Sequence, residues 1–352
     1  MPSAPVNSDG ALMYYEDSGV PPGSEDYVTV VLIHGLVLHG ATFYPTFPYA
    51  KSRGLRFIAP NLRDYPNSTP YTPSEFENLC SADVETQKLA VRSLGLELAA
   101  FLKYIVDAES LPPKRGADGQ VKGGLVLLSW SMGNLWSLSM FGNASALEDE
   151  TRAVLRRYLR TYIMHEPPYF GFGLTVPEEL SFRPLDQTEP LEERGAMFCR
   201  AAGMFYPPLP ELSDHMSTLF GRVPLQSGSR SMSTWDRYPQ EVQAAIADYD
   251  ALQRTGRYLR SLDTMLWSEI TNNMLRNLEG DFADVSTVVF WCDMSHSLCP
   301  FGIKCFADRV AATAAGRDHI RKVAFVKISG ANHTVHLEDP EGFVELISNA
   351  VQ

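Results

Sequence analysis

The stretch GGLVLLSWSMGNLWSLSM, Gly123 to Met140, compresses a change of structure into a few residues. Leu125–Leu128 is a short continuous apolar run, the pattern of a strand buried on both faces. Small residues surround Ser131, and apolar residues then recur at helical spacing. A strand that stops on a serine and restarts at once as a helix leaves that serine two roles. It caps the helix, its hydroxyl accepting from a leading amide, or it is a nucleophile presented on a sharp turn. Ser129-Trp130-Ser131-Met132-Gly133 is a variant of the Gly-x-Ser-x-Gly nucleophile elbow in which Ser129 replaces the first glycine. The five residues alone leave both roles open.

The rest of the chain supplies the context. ALMYYEDSG reads as a first strand and turn. YVTVVLIHG, Tyr27 to Gly35, is an apolar β-branched run, and LRFIAPNLRDYP repeats the design. A long helix is expected over roughly Asp83 to Ala108. Further strands are expected in YLRTYIMHEPP, VSTVVFWCD and KVAFVKISG. DPEGFVELISNAV closes the chain as a helix, with Asp339 at the N-cap and Pro340 at its first position. Strands alternating with helices give a doubly wound α/β fold. Residues 167–284 break the alternation with helical patches and no buried strand, so they read as a helical insertion, a lid over one end of the sheet. KRGADGQVKGG reads as a polar loop. The expected division is a core of 1–166 and 285–352, with a lid of 167–284.

Composition narrows the function classes. The chain has 352 residues and a net charge of −12, which argues against nucleic acid and anionic membranes as partners. No apolar run reaches the length of a membrane span. The N-terminal MPSAPVNSDG lacks the regions of a signal peptide. Five cysteines without a Cys-x-x-Cys pair point to reduced thiols in an intracellular, cytoplasmic setting.

Two further motifs bear on Ser131. In IHGLVLHG, His34-Gly35 ends an early strand. An acyl-transfer site needs two backbone N–H groups facing the developing oxyanion. Met132, directly after the serine, and Leu36, in the turn after Gly35, are the candidates. Gly35 would let the backbone approach a substrate closely. In SGANHTVHLEDPEGF a histidine follows the last strand. His333 suits a general base, His336 is its structural neighbour, His39 could line the site, and His215 and His319 read as solvated. All three motifs fall at C-terminal ends of strands, where open α/β sheets hold their ligands.

Together, His34-Gly35, APNLRDYPNSTPY, the elbow, the insertion and GANHTVHLEDPEGF resemble the α/β-hydrolase fold family over nearly the whole chain. The resemblance implies a mostly parallel sheet with helices on both faces, a Ser–His–acid triad, no metal or cofactor, and a lid. The acid departs from the family's commoner pattern. In VSTVVFWCDMSHSLCP its usual position falls on Ser295, and Asp293 stands two residues early. Glu166, in MHEPP, is similar to the acid of the zearalenone-lactonase branch, and is favoured over Asp293. A serine nucleophile argues against the dehalogenase and epoxide-hydrolase branches, which use aspartate. The expected activity is hydrolysis of an ester or lactone of a medium-sized hydrophobic substrate. Trp130, Tyr169 and Phe205, with His34 and Gly35, are expected to line its pocket. A carbon–carbon bond hydrolase, an acyltransferase and a non-catalytic binding protein remain alternatives, and the oligomeric state stays open, a homodimer included.

Overall fold

The computed structural model describes residues 2–117, 120–180, 189–212, 216–276, 282–315 and 320–351. His215 and His319 lie outside these. The strands are β1 (Ser3–Pro5), β2 (Leu12–Asp17), β3 (Val28–Ile33), β4 (Leu55–Pro60), β5 (Arg115–Ala117), β6 (Gln120–Lys122), β7 (Leu125–Trp130), β8 (Leu159–His165), β9 (Ser286–Cys292) and β10 (Val323–Ile328). Eight form one sheet in the order β1-β2-β4-β3-β7-β8-β9-β10. The β1–β2 and β2–β4 pairs are antiparallel, and β4, β3, β7, β8, β9 and β10 pair in parallel. Every residue of β3, β7 and β8 is buried, as strands of a doubly covered sheet should be. The polar loop expected at KRGADGQVKGG instead contains a short antiparallel pair, β5 with β6.

Helices cover the faces. The Val84–Ala108 helix starts where Asp83 accepts from the Thr86 amide at 2.9 Å, and buries Val91, Leu94, Leu98, Leu102 and Ile105 at helical spacing. The Asn134–Gly142 helix leaves the end of β7 and is buried along its whole length. Asp339 caps the Pro340–Ala350 helix through the Gly342 amide at 3.0 Å. Among the described residues, no helix is long and apolar enough to cross a membrane.

Because β3, β7, β8, β9 and β10 are parallel, the turns after them share one edge of the sheet. Gly35, Ser131, Glu166, Asp293 and His333 all belong to those turns. Among the described residues of 167–284 the regular elements are helices, joined by irregular chain, with one isolated bridge from Ala247 to Leu38. The insertion's Thr264–Arg276 helix lies in the layer flanking the sheet: a Cβ on Gly142 would come within 2.6 Å of the Ile270 carbonyl oxygen. Earlier parts of the insertion are tied to the turns of the C-terminal edge. His39 N–H donates to the Ile246 carbonyl at 3.0 Å and Asp248 N–H to that of Val37 at 2.8 Å. Tyr206 and Leu209 amides donate to the carbonyls of Met294 and Asp293, each at 2.9 Å. Asn332 Nδ2 donates to the Gly203 carbonyl at 2.7 Å.

Gly95 tests the helix packing. A Cβ there would lie 2.5 Å from the Met140 nitrogen and 2.6 Å from the Ser139 carbonyl carbon, both backbone atoms that cannot swing aside. In an open helix Gly→Ala stabilises by roughly 0.5–1 kcal/mol. Here Gly95→Ala should destabilise by about 1–3 kcal/mol, the usual range for overpacking, as read from urea melts.

Candidate active site

Ser131 sits at φ +50°, in the left-handed region that a residue with a Cβ rarely adopts. The strain is imposed by the close packing of the turn. A Cβ on Gly133 would stand 2.4 Å from the His34 carbonyl oxygen, so only glycine fits. A Cβ on Gly35 would lie 3.1 Å from that of Ser131 and 3.2 Å from the Trp130 ring. The two glycines thus let the β3 turn and the β7 turn touch. Asn134 locks the elbow from behind, its Nδ2 donating to the carbonyls of Ser129 at 3.0 Å and Ser131 at 2.9 Å. The Tyr162 hydroxyl donates to Asn134 Oδ1 at 2.9 Å. Ser129, standing where a glycine is usual, turns its hydroxyl onto that of Ser137 at 2.5 Å. Ser131 is therefore held as an elbow: the N-caps of the two helical segments that start here are Trp130 and Gly133, not Ser131.

β8 lies beside β7, and Trp130 pairs in register with His165. Glu166, the next residue, therefore emerges one strand away from Ser131. It too has φ +50°. Its side chain has no exposed surface and reaches Nδ1 of His333 at 3.1 Å. The Cys292 amide donates to Glu166 Oε1 at 2.7 Å, and the Ser295 hydroxyl donates to Oε2 at 2.5 Å. Burial alone would raise the pKa of this carboxyl. The hydrogen bond and charge of His333, the His165 ring and the Ser295 hydroxyl overcome it and hold it down to about 2. Ser295 occupies the position where an aspartate was expected in the commoner pattern, and here it donates to Glu166. Asp293 faces elsewhere: its Oδ1 accepts from the Gly330 amide at 2.7 Å, tying the turn after β9 to the turn after β10.

His333 is placed by Trp130 and Asn332. Trp130 Nε1 donates to the His333 carbonyl at 2.9 Å, and the two rings lie 5.3 Å apart. Asn332 Oδ1 accepts from the Thr334 amide at 3.0 Å. The surrounding imidazoles stay neutral. Burial pushes His165 and His296 down to about 3 and His336 well below its ordinary range. Positive charge developing on His333 would thus meet Glu166 and no charged imidazole. Among the described residues no hydrogen bond joins the Ser131 hydroxyl to His333, a contact that commonly tightens only around a substrate.

The turn after Gly35 ties two of its amides down: Val37 N–H donates to the Tyr65 hydroxyl at 3.2 Å and Leu38 N–H to the Leu36 carbonyl at 2.8 Å. The Leu36 amide is left as the candidate oxyanion donor of this turn. Met132 lies in the first turn of the helical segment that opens at Ser131, where leading N–H groups lack intrahelical acceptors.

Several expected pocket residues do other work. His34 is fully buried and uses both ring nitrogens: Nε2 accepts from the Leu62 amide at 3.0 Å, and Nδ1 lies 2.8 Å from the Gly35 carbonyl. It joins the β3 and β4 turns and has no atom left for a substrate. Phe205 is buried beneath the guanidinium groups of Arg230 and Arg237, at 5.4 and 5.7 Å. Trp130 is buried and positions His333. His39 caps the turn at Gly40 and contacts the Ala41 amide at 3.4 Å. His336 contacts the Thr42 hydroxyl at 3.1 Å. Tyr169 stays partly exposed, its ring against Phe170 and Phe301. Asn134 and Asn332 were not singled out from sequence, and Ser295 stood out only as the place of a missing aspartate. Polar residues at such short spacing from Ser131, Asp293 and His333 were the available signal.

The chain belongs to the alpha/beta hydrolase family, whose profile matches residues 30–346. It is an enzyme of that family. Among curated proteins, a sequence comparison finds no match. Solved structures with a similar fold include an esterase from Exiguobacterium antarcticum, 15% identical over 100% of this chain and 99% of that one, with a TM-score of 0.51. An N-acyl homoserine lactone degrading enzyme is 14% identical over 99% of each chain, TM-score 0.54. A laboratory-evolved variant of potato epoxide hydrolase is 14% identical over 100% and 99%, TM-score 0.52. At these identities the likeness is one of fold.

The depressed Glu166 carboxyl has a signature in stability. Between its folded value near 2 and its ordinary value of 4.5, the unfolded chain binds a proton that the folded chain does not. The stabilisation is fully present above pH 4.5 and is lost as the pH falls toward 2. In urea melts, the stability gap between wild type and Glu166→Gln should be widest above pH 4.5 and narrow through that window. A gap that is flat in pH would contradict the assignment.

Proposed function

We propose that this enzyme is a serine hydrolase that cleaves an ester or lactone of a medium-sized hydrophobic substrate through an acyl-enzyme. The observation that carries the reading is the 3.1 Å contact of buried Glu166 with His333 Nδ1, one strand away from a serine held at φ +50°. Ser131 Oγ attacks the carbonyl and gives its proton to His333 Nε2. The Nδ1 proton stays shared with Glu166, which fixes the tautomer and stabilises the imidazolium. The N–H groups of Leu36 and Met132 receive the oxyanion. His333 then protonates the leaving alkoxide, and a water it activates releases the acyl group. In a lactone that alkoxide stays tethered to the acyl group until hydrolysis.

The lactone half of the reading draws on MHEPP, similar to the acid site of zearalenone lactonases, and on the fold shared with a lactone-degrading enzyme. The insertion before Thr264 acts as the lid in this reading. Its support is the set of bonds from that segment to the turns bearing Leu36, Asp293 and His333. Not every apolar side chain of the insertion serves a pocket. Trp267 and Phe172 are core residues, whereas Met265 is 79% exposed.

Two results test this. Ser131→Ala should lower ester turnover by roughly 10⁴–10⁶-fold and abolish labelling by a fluorophosphonate, with folding intact. Near-normal turnover in the folded variant would end the reading. Glu166→Gln should lower kcat by about 10⁴-fold, because an amide cannot stabilise the imidazolium. Asp293→Asn, whose carboxylate bonds the Gly330 amide and not His333, should leave kcat within about a factor of ten. The opposite ranking would move the acid to β9. Product analysis on aryl esters and macrocyclic lactones separates hydrolysis from acyl transfer and carbon–carbon cleavage.

A further inference from the structure

Beside His333 lie two buried or half-buried side chains that the proposed hydrolysis does not use, Cys299 and His296. Cys299 Sγ is 3.4 Å from Nδ1 of His333 and 3.4 Å from Nε2 of His296. All three ligand atoms fall within 4.8 Å of one another. Glu166 Oε2, 3.1 Å from the same Nδ1, adds a fourth donor. A tetrahedral zinc ion, with Zn–S near 2.3 Å and Zn–N near 2.05 Å, holds its sulfur and nitrogen ligands about 3.6 Å apart. The two sulfur–nitrogen distances match that spacing. Charge also balances: a thiolate and a carboxylate neutralise a divalent cation in a site where net charge would be heavily penalised. Cys299 and His333 are buried and His296 is partly exposed. A cavity of about 150 Å³, lined by Tyr206, Leu219, Arg222, His296 and Leu298, leads to His296 from outside. Arg222 faces that cavity, but its guanidinium is engaged by the carbonyls of Ser295, Pro207 and Asp293.

The geometry points to an inhibitory site for a borderline-soft divalent cation such as Zn²⁺, held by His296, Cys299, His333 and Glu166, whose occupation switches the hydrolase off. The inhibitory half rests on the proposed role of His333 as general base. That role needs the proton on Nδ1, donated to Glu166, and a free lone pair on Nε2. A metal ion takes the Nδ1 lone pair, so the ring proton moves to Nε2 and the base is lost. Cys299 gives up its thiol proton to solvent, one proton released per ion bound. Imidazole and thiolate donors favour zinc-like ions over magnesium or calcium.

The test uses Co²⁺ as a spectroscopic stand-in and Zn²⁺ as inhibitor, on the full chain. Wild type should bind one Co²⁺ with a thiolate-to-cobalt charge-transfer band. One equivalent of Zn²⁺ should lower ester hydrolysis at least tenfold, and a chelator should restore it, while Mg²⁺ has no effect. Cys299→Ser should lose the band and have its ratio of activity with and without Zn²⁺ return to near one. His296→Ala, measured in parallel as a second variant, should need at least tenfold more Zn²⁺ for the same effect. No band in wild type, a band that persists in Cys299→Ser, or a band without inhibition would overturn the proposal. A band lost in Cys299→Ser, in a metal-free protein that hydrolyses no ester, would keep the metal site and instead defeat the hydrolase reading.

Discussion

A carboxylate with no exposed surface, Glu166, holds the C-terminal edge of this sheet together. Burying an ionised carboxyl is expensive unless its oxygens are fully engaged. Here the engagement comes from three turns at once. The Cys292 amide ends β9 and the Ser295 hydroxyl lies in the turn after it, His333 belongs to the turn after β10, and Glu166 itself to the turn after β8. The charge is therefore both a catalytic element in the proposed mechanism and a structural tie. Removing it would leave a buried amide, hydroxyl and imidazole aimed at a side chain that can no longer satisfy all three.

Around that tie the serine and the histidine are positioned by separate devices. Ser131 is fixed by its strand-to-helix turn, by the two glycines that admit the neighbouring backbone, and by the Asn134–Tyr162 pair beneath. His333 is fixed by Trp130, the residue just before the serine, whose indole donates to the His333 carbonyl. One side chain thus links the Ser131 turn to the His333 turn. The insertion adds a third attachment through Asn332, which also bonds the Thr234 hydroxyl at 2.8 Å. Motion of the insertion would act on the histidine turn through these bonds.

Much of this was legible in the sequence because the signals were local. The buried strands announced themselves as continuous apolar runs. The long helix and the last helix carried Asp83 and Asp339 as caps, and the elbow was readable from small residues around Ser131. Placing Glu166 beside the serine needed only that β8 follow β7 in the sheet, which short crossovers favour. What could not be read were partnerships between distant turns. His34 looked like a pocket residue because it precedes a glycine turn, but its role is set by the Leu62 amide, 28 residues away. Phe205 looked like a pocket aromatic, but two arginines from another part of the insertion cover it. Ser295 was noticed only as a missing aspartate. Its partner, Glu166, lies 129 residues earlier, and nothing in the local pattern announces that pairing. The short β5–β6 pair was missed because each strand has only three residues, and Arg115, Gly116, Val121 and Lys122 are all exposed, without the alternation that marks a half-buried strand.

The central claim is that Glu166 holds the His333 ring with its proton on Nδ1. Nitrogen-15-edited NMR of imidazole-labelled protein reads this directly. The account predicts a strongly downfield proton bonded to the Nδ1 of His333, assigned by its loss in His333→Gln, absent in Glu166→Gln and unaltered in Asp293→Asn. A His333 ring protonated on Nε2 in the neutral wild-type enzyme, or a downfield Nδ1 proton that survives in Glu166→Gln and vanishes in Asp293→Asn, would contradict it.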